Sequence, residues 1–147
     1  ELSSGTLYHG VMFEVPSACL QCKDILDQAD FGRIGTNDLT QYLFAVDRQD
    51  DYNRQAALFD QPALWMLINN IAQVARRKQK SLSLCGELVN DPGNTGRIMS
   101  CRVQMVSVRP RQIPAIRNAA ATCSRTNNRV GKHNAPTVKG KNQPFLI

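Results

Sequence analysis

The sequence predicts an α/β fold, a parallel sheet covered by helices, and three observations predict it. Strand-like and helix-like stretches alternate through residues 7–121, giving about four βα units. Three of the four strand-like stretches finish in residues with usable chemistry, namely Glu14, the pair Asn37-Asp38, and Cys85. In a parallel sheet the strand C-termini lie side by side, so these groups would converge on one face. The length, 147 residues, suits one domain with a sizeable core.

Leu7–Glu14 (LYHGVMFE) ends in β-branched, aromatic and methionine side chains and reads as a buried strand. Pro16 fits the first position of a helix, and Ser17–Ala29 carries Leu20, Ile25, Leu26 and Ala29 at helical spacing. Phe31–Gly35 is the second strand and Asp38–Val46 the helical segment behind it. Between them lies the polar tip Thr36-Asn37-Asp38. An Asn-Asp pair before a helix has an ordinary use as an N-cap. Its functional alternative is a ligand site, because strand ends aim side chains into a shared crevice.

Asp47–Gln61 is polar and reads as a long loop. Pro62 opens the clearest helix, Ala63–Lys78, with Leu64, Leu67, Ile68, Ile71 and Val74 as its inward stripe. The run Arg76-Arg77-Lys78 closes it as a solvated last turn, where cations complement the helix dipole. Ser81–Cys85 is the third strand, Asp91–Asn94 a turn, and Thr95–Ser100 a short helix. Arg102–Val108 is the fourth strand, and Pro110 and Pro114 bracket the start of a last helix, Ile113–Ala121. Residues 122–147 are rich in Ser, Thr, Asn, Lys, Gly and Pro without a period and read as a disordered basic tail. The expected organisation is therefore a globular unit over 1–121 and a flexible tail over 122–147.

The net charge of +6 is unevenly spread: all twelve acidic residues fall within 1–91, with eight basic ones, and 92–147 holds ten basic residues. Such a block could meet nucleic acid. The basic residues are scattered singly, however, and Phe145 is the only aromatic among them, which argues against that partner. No apolar run approaches the ~18 residues of a membrane span. Five cysteines without framework spacing fit a reduced, cytoplasmic setting. Cys19 and Cys22 have CxxC spacing but lie in an expected helix with no second pair for zinc, so they read as half-buried thiols. On the residues alone, Glu14 could pair with Arg33 or Arg48, and Cys85 could be a small core residue.

Three stretches carry a family resemblance: GVMFEVPSA (Gly10–Ala18), IGTNDLTQYLFAVDR (Ile34–Arg48) and LCGE (Leu84–Glu87). They resemble the barrel of phosphoenolpyruvate-protein phosphotransferase, Enzyme I of the bacterial phosphotransferase system, which binds phosphoenolpyruvate (PEP). The wording around Glu14-Val15-Pro16-Ser17, Asn90-Asp91-Pro92 and Arg111 leans towards its nitrogen-related paralogue. The resemblance implies the C-terminal half of a (β/α)8 TIM-type barrel. It implies that Glu14 and Asp38 hold Mg²⁺, that Asn37 and Arg48 contact the PEP phosphate, and that Cys85 is the proton donor turning the enolate into pyruvate. It further implies a phosphocarrier protein of the HPr type as partner and a homodimeric parent protein.

The chain departs from the family in several places. It supplies about four of eight barrel strands, whereas a complete barrel needs ~200 residues or more. Gln61-Pro62 stands where His-Pro is common, Ser100-Cys101-Arg102 replaces Gly-Leu-Gly before the last strand, and Val106-Ser107-Val108 replaces Phe-Ser-Met. The phosphorylated histidine of the family has no counterpart, since His9 and His133 are isolated. A half-barrel leaves two unpaired edges and an open apolar interior, so either self-association or a distorted sheet is expected. Two alternatives accompany this reading: a regulatory or assembly module with a decayed PEP site, and a fragment of pyruvate phosphate dikinase or PEP synthase.

Overall fold

The computed structural model describes residues 5–47 and 57–130, with side chains as far as Arg125. Its elements are β1 (Gly10–Phe13), α1 (Pro16–Leu20), α2 (Cys22–Gln28), β2 (Phe31–Gly35), α3 (Thr36–Phe44), α4 (Pro62–Arg77), β3 (Ser81–Cys85), α5 (Thr95–Ser100), β4 (Met105–Ser107) and α6 (Ile113–Val130). Short 3-10 turns cover Glu87–Asn90, Pro92–Asn94 and Pro110–Gln112. The four strands form one sheet in the order β1-β2-β3-β4, and every pairing is parallel. This is the predicted α/β alternation.

The core lies on one face of that sheet. Phe13, Ile34, Leu82, Leu84 and Val106 point from successive strands into a cluster with Leu26, Leu39 and Ile116. The amphipathic helix α4 fills the middle of it, with Leu64, Ile68, Ile71 and Val74 buried as the stripe predicts, and Leu67 packed at its margin. Trp65, Ala72 and Ala75 are buried too, which widens the stripe. The Trp65 indole N–H donates to the carbonyl of Phe59 at 2.6 Å, and Phe59 is itself buried. The end of the stretch expected as a polar loop therefore belongs to the core.

The opposite face is open. By the strand period of two it carries Met12, Phe31, Arg33, Ser81, Ser83, Cys85, Met105 and Ser107. Met12 and Phe31 are each 43% exposed there. With Tyr8, Asp30 and Arg33, Phe31 borders a bowl of about 660 Å³.

Several boundaries differ from expectation, each for a local reason. The first strand is Gly10–Phe13 rather than Leu7–Glu14. Its lower end is closed by the Asp30 carboxylate, which accepts from the His9 N–H at 2.8 Å, while the Asp30 N–H donates to the His9 carbonyl at 2.7 Å. The fourth strand is Met105–Ser107 rather than Arg102–Val108. The Gln104 side-chain oxygen accepts the Leu82 N–H at 3.1 Å, taking a donor that a longer ladder would use, and Arg102 sits in the left-handed region at φ 59°.

The helix expected over Ser17–Ala29 is two helices, broken at Gln21, so that each packs separately on α4. The one expected over Asp38–Val46 starts earlier and runs Thr36–Phe44. The last helix continues past Ala121 to Val130, so residues 122–130 are helical rather than tail. The rest of the expected tail, 131–147, lies outside the described residues.

Candidate active site

The parallel register brings the chemistry-bearing strand ends together. Phe13 pairs with Ile34, Gly35 with Cys85, and Cys85 with Ser107. Glu14 follows β1 directly, Asp38 sits in the first turn of α3, and Cys85 ends β3. Glu14 leans across the end of β2, where a Cβ built on Gly35 would lie 2.6 Å from its Oε1 and 2.8 Å from its Cγ. A glycine at 35 is what lets this carboxylate reach over the neighbouring strand.

Cys85 is half-buried, and its thiol donates to the Ile34 carbonyl at 3.5 Å. Burial is the main cause holding this thiol above the ordinary range. The Arg33 guanidinium pulls it down, and the Glu14 and Asp38 carboxylates push it up. The thiol thus senses both carboxylates and one guanidinium, and it is protonated at neutral pH. Of the residues singled out in the sequence, Glu14, Asp38 and Cys85 share this end of the sheet, while Arg48 lies outside the described residues.

Asn37 is placed at the same end, with its carbonyl oxygen already engaged. It accepts the Glu87 backbone N–H at 2.7 Å. Nor are Asn37 and Asp38 an N-cap: the cap position is Gly35, with no side-chain cap bond, and both residues lie within the first helical turn. An acidic side chain there is favoured by the helix dipole.

The loop after β3 is fastened by residues to which sequence reasoning assigned no such role. The Thr36 hydroxyl donates to the Cys85 carbonyl at 2.8 Å. Gly86, at φ 113°, passes so close that a Cβ would lie 2.2 Å from Thr36 Oγ1. The Asn90 amide donates to the Gly86 carbonyl at 3.1 Å, and its oxygen accepts the Arg109 N–H at 2.9 Å. Glu87 forms an ion pair with Arg109. Arg33, named from the sequence as a possible partner of Glu14, instead donates from its Nε to Ser83 Oγ at 3.1 Å, and it alternates with buried Gly32 and Ile34.

Among the described residues no group of three or more His, Cys, Asp or Glu side chains could hold a metal. Glu14 and Asp38 both lie within electrostatic reach of the Cys85 thiol. Two carboxylates are a donor type that a hard cation such as Mg²⁺ would accept, completing its shell with water and substrate oxygens. No helix among the described residues is long and apolar enough to cross a membrane.

A family model described as "PEP-utilising enzyme, PEP-binding domain" matches residues 3–125. Among curated proteins, the multiphosphoryl transfer protein of Xanthomonas campestris pv. campestris is 38% identical over 117 residues, 80% of this chain and 14% of the relative. The phosphoenolpyruvate synthase of Pyrococcus furiosus is 36% identical over 115 residues, 76% of this chain and 14% of the relative. The phosphoenolpyruvate-protein phosphotransferase of Cupriavidus necator is 38% identical over 106 residues, 71% of this chain and 18% of the relative. These alignments thus span less than a fifth of each of the three relatives.

Proposed function

The chain belongs to the PEP-utilising enzymes, as their PEP-binding domain, and from that premise we propose that it is the PEP-binding half-barrel of a phosphotransferase. The parent protein moves the phosphoryl group of PEP to a histidine on another domain, and then to a phosphocarrier protein of the HPr type. The convergence of Glu14, Asp38 and Cys85 at the C-terminal end of the parallel sheet is the observation that carries this reading.

Each residue has a role that its chemistry supports. Glu14 and Asp38 would hold Mg²⁺, which neutralises charge on the transferring phosphoryl group. Arg48 offers a planar fork of donors to the phosphate. Asn37, with its oxygen engaged by Glu87, has its amide hydrogens to offer the same group. The P–O bond of PEP breaks as the P–N bond to the acceptor histidine forms, leaving the enolate of pyruvate. Cys85 then gives its S–H proton to the enolate methylene carbon, and the thiolate regains a proton from solvent. A thiol kept protonated by burial is suited to that step.

Calorimetry of the chain with Mg²⁺ and PEP tests the assignment. Saturable binding is expected for the wild type, lost or strongly weakened in Asp38→Ala and Arg48→Ala. Identical titrations for all three would remove the site. In the full-length enzyme, Cys85→Ala should lower pyruvate formation by roughly 10²–10⁴-fold while leaving PEP affinity intact. A second reading, a PEP synthase, is favoured by the 36% identity to the Pyrococcus furiosus enzyme. Sequencing the upstream gene separates the two by the domains that precede the barrel.

A further inference from the structure

A second cleft lies far from the strand C-termini. It forms where the last turns of α4 meet the segment that leaves α5 and leads into β4, so it opens at the N-terminal end of the sheet. Asn69, Gln73 and Arg76 line it from α4, and Ser100, Cys101 and Arg102 from the segment opposite, around a volume of about 270 Å³.

Its chemistry is one-sided. Two guanidiniums, two carboxamides and a hydroxyl border it, and none of its lining residues is acidic. The charged pairs found among the described residues join Lys78 to Asp27, Arg97 to Asp60 and Arg109 to Glu87, and leave Arg76 and Arg102 outside them. Arg102 also holds a backbone position that suits glycine, at φ 59° just beyond the end of α5. Two other helices end on left-handed residues, Ala45 and Gln79, but only Arg102 brings a charge to such a place. It stands where the family resemblance leads one to expect Gly-Leu-Gly.

We propose that Arg76 and Arg102, with Asn69 and Gln73, form a binding site for the phosphate group of a small phosphorylated metabolite. Arg matches the oxygens of a phosphate with several N–H donors at once, and the two carboxamides supply further donors around it. The Ser100 hydroxyl already donates to the Gly96 carbonyl at 2.9 Å. The volume falls just below the ~300–1,000 Å³ of pockets that enclose drug-sized ligands. A cleft of this size seats a phosphate group with a short organic stem. Free phosphate shares the chemistry and serves as a probe. The site is separate from the carboxylate–thiol end of the sheet and does not depend on the function proposed there.

The test is a titration of the full chain with inorganic phosphate and, separately, with glycerol phosphate, followed by backbone and arginine Nε NMR shifts. Saturable shifts are expected at Ser100, Cys101, Arg102 and Arg76, with glycerol phosphate the tighter of the two. Tighter binding of free phosphate would identify the bare ion as the ligand and overturn the metabolite. Arg102→Gly relieves the left-handed backbone, so it should melt no lower than wild type and yet bind at least ~10-fold more weakly, as should Arg76→Gln. Shifts confined to residues around Asp38, unchanged affinity in both variants, or no saturable shift at millimolar ligand would each overturn the proposal.

Discussion

The hydroxyl of Thr36 donates to the carbonyl of Cys85 at 2.8 Å, fastening the first residue of α3 to the last residue of β3. Two residues on from this bond, Asp38 takes its place in the helix, so the bond couples the positions of carboxylate and thiol. Thr36 is wholly buried, and among the described residues no other group outside the strand ladder donates to that carbonyl.

Thr36→Val keeps the shape of the side chain and removes the donor. The bond is only part-buried, so the expected cost is about 0.5–1.5 kcal/mol. Urea unfolding measures it as a lower midpoint at unchanged slope. An unchanged midpoint would mean that water replaces the hydroxyl and that the coupling is weak.

Gly86 makes the same junction sensitive to a single methyl group. Its φ of 113° lies where L side chains rarely go, and a Cβ would fall 2.2 Å from Thr36 Oγ1 and 2.8 Å from Asn37 Oδ1. Backbone strain and collision act together, so Gly86→Ala should destabilise by about 2–3 kcal/mol or more. Thermal melting of the variant checks it, and Thr36→Ala combined with Gly86→Ala, which removes the Oγ1 collision, should still melt well below Thr36→Ala alone, because the backbone strain remains.

Much of this architecture was legible in the sequence, and the reason is physical. The inner strands β2 and β3 are apolar on one face and bounded by clear breakers, so Phe31–Gly35 and Ser81–Cys85 carry a full local signal. The outer strands have one neighbour each, and their lengths are set by tertiary bonds from Asp30 and Gln104 that no local pattern announces. The break at Gln21 is hidden for the same cause: helical spacing runs through it, and only packing on α4 splits it. At the site, the residues with obvious chemistry stood out, whereas Thr36, Glu87, Asn90 and Arg109 act through distant backbone and side-chain partners, and no local pattern announces those bonds.

Alkaline pH should expose the paired thiols of the α1–α2 break. Cys19 is fully buried, and its thiol is raised from 9.0 to about 11, first by burial and then by Cys22. Cys22 is raised as well, again by burial. A raised folded value means that the folded state holds its proton where the unfolded chain has lost it. The stabilisation is therefore fully present below pH 9 and is lost as pH rises towards 11. The rise of Cys19 from 9.0 to about 11 corresponds to a contribution on the order of 2–3 kcal/mol. Melting temperatures followed through this window should fall, and Cys19→Ala combined with Cys22→Ala should flatten the fall. At pH 8 both thiols should resist alkylation until the chain unfolds.

The closest test of the carboxylate pair needs no change to either carboxylate. Glu14 reaches over β2 only because Gly35 has no side chain, and the atoms that a methyl group would meet are Oε1 at 2.6 Å and Cγ at 2.8 Å. These belong to a flexible side chain that can swing away, and the backbone of Gly35 is in the ordinary extended region at φ −90°. Gly35→Ala should therefore cost little in stability, within about 1 kcal/mol, and the reduced freedom of the unfolded chain works in its favour. Displacing Glu14 should nevertheless weaken Mg²⁺-dependent PEP binding at least ~10-fold, because a metal held by two carboxylates loses one of them. Calorimetry beside a urea titration separates the two effects. A variant that is stable and binds as well as wild type would show that Glu14 contributes nothing from its present position, leaving Asp38 as the sole carboxylate of the proposed metal site.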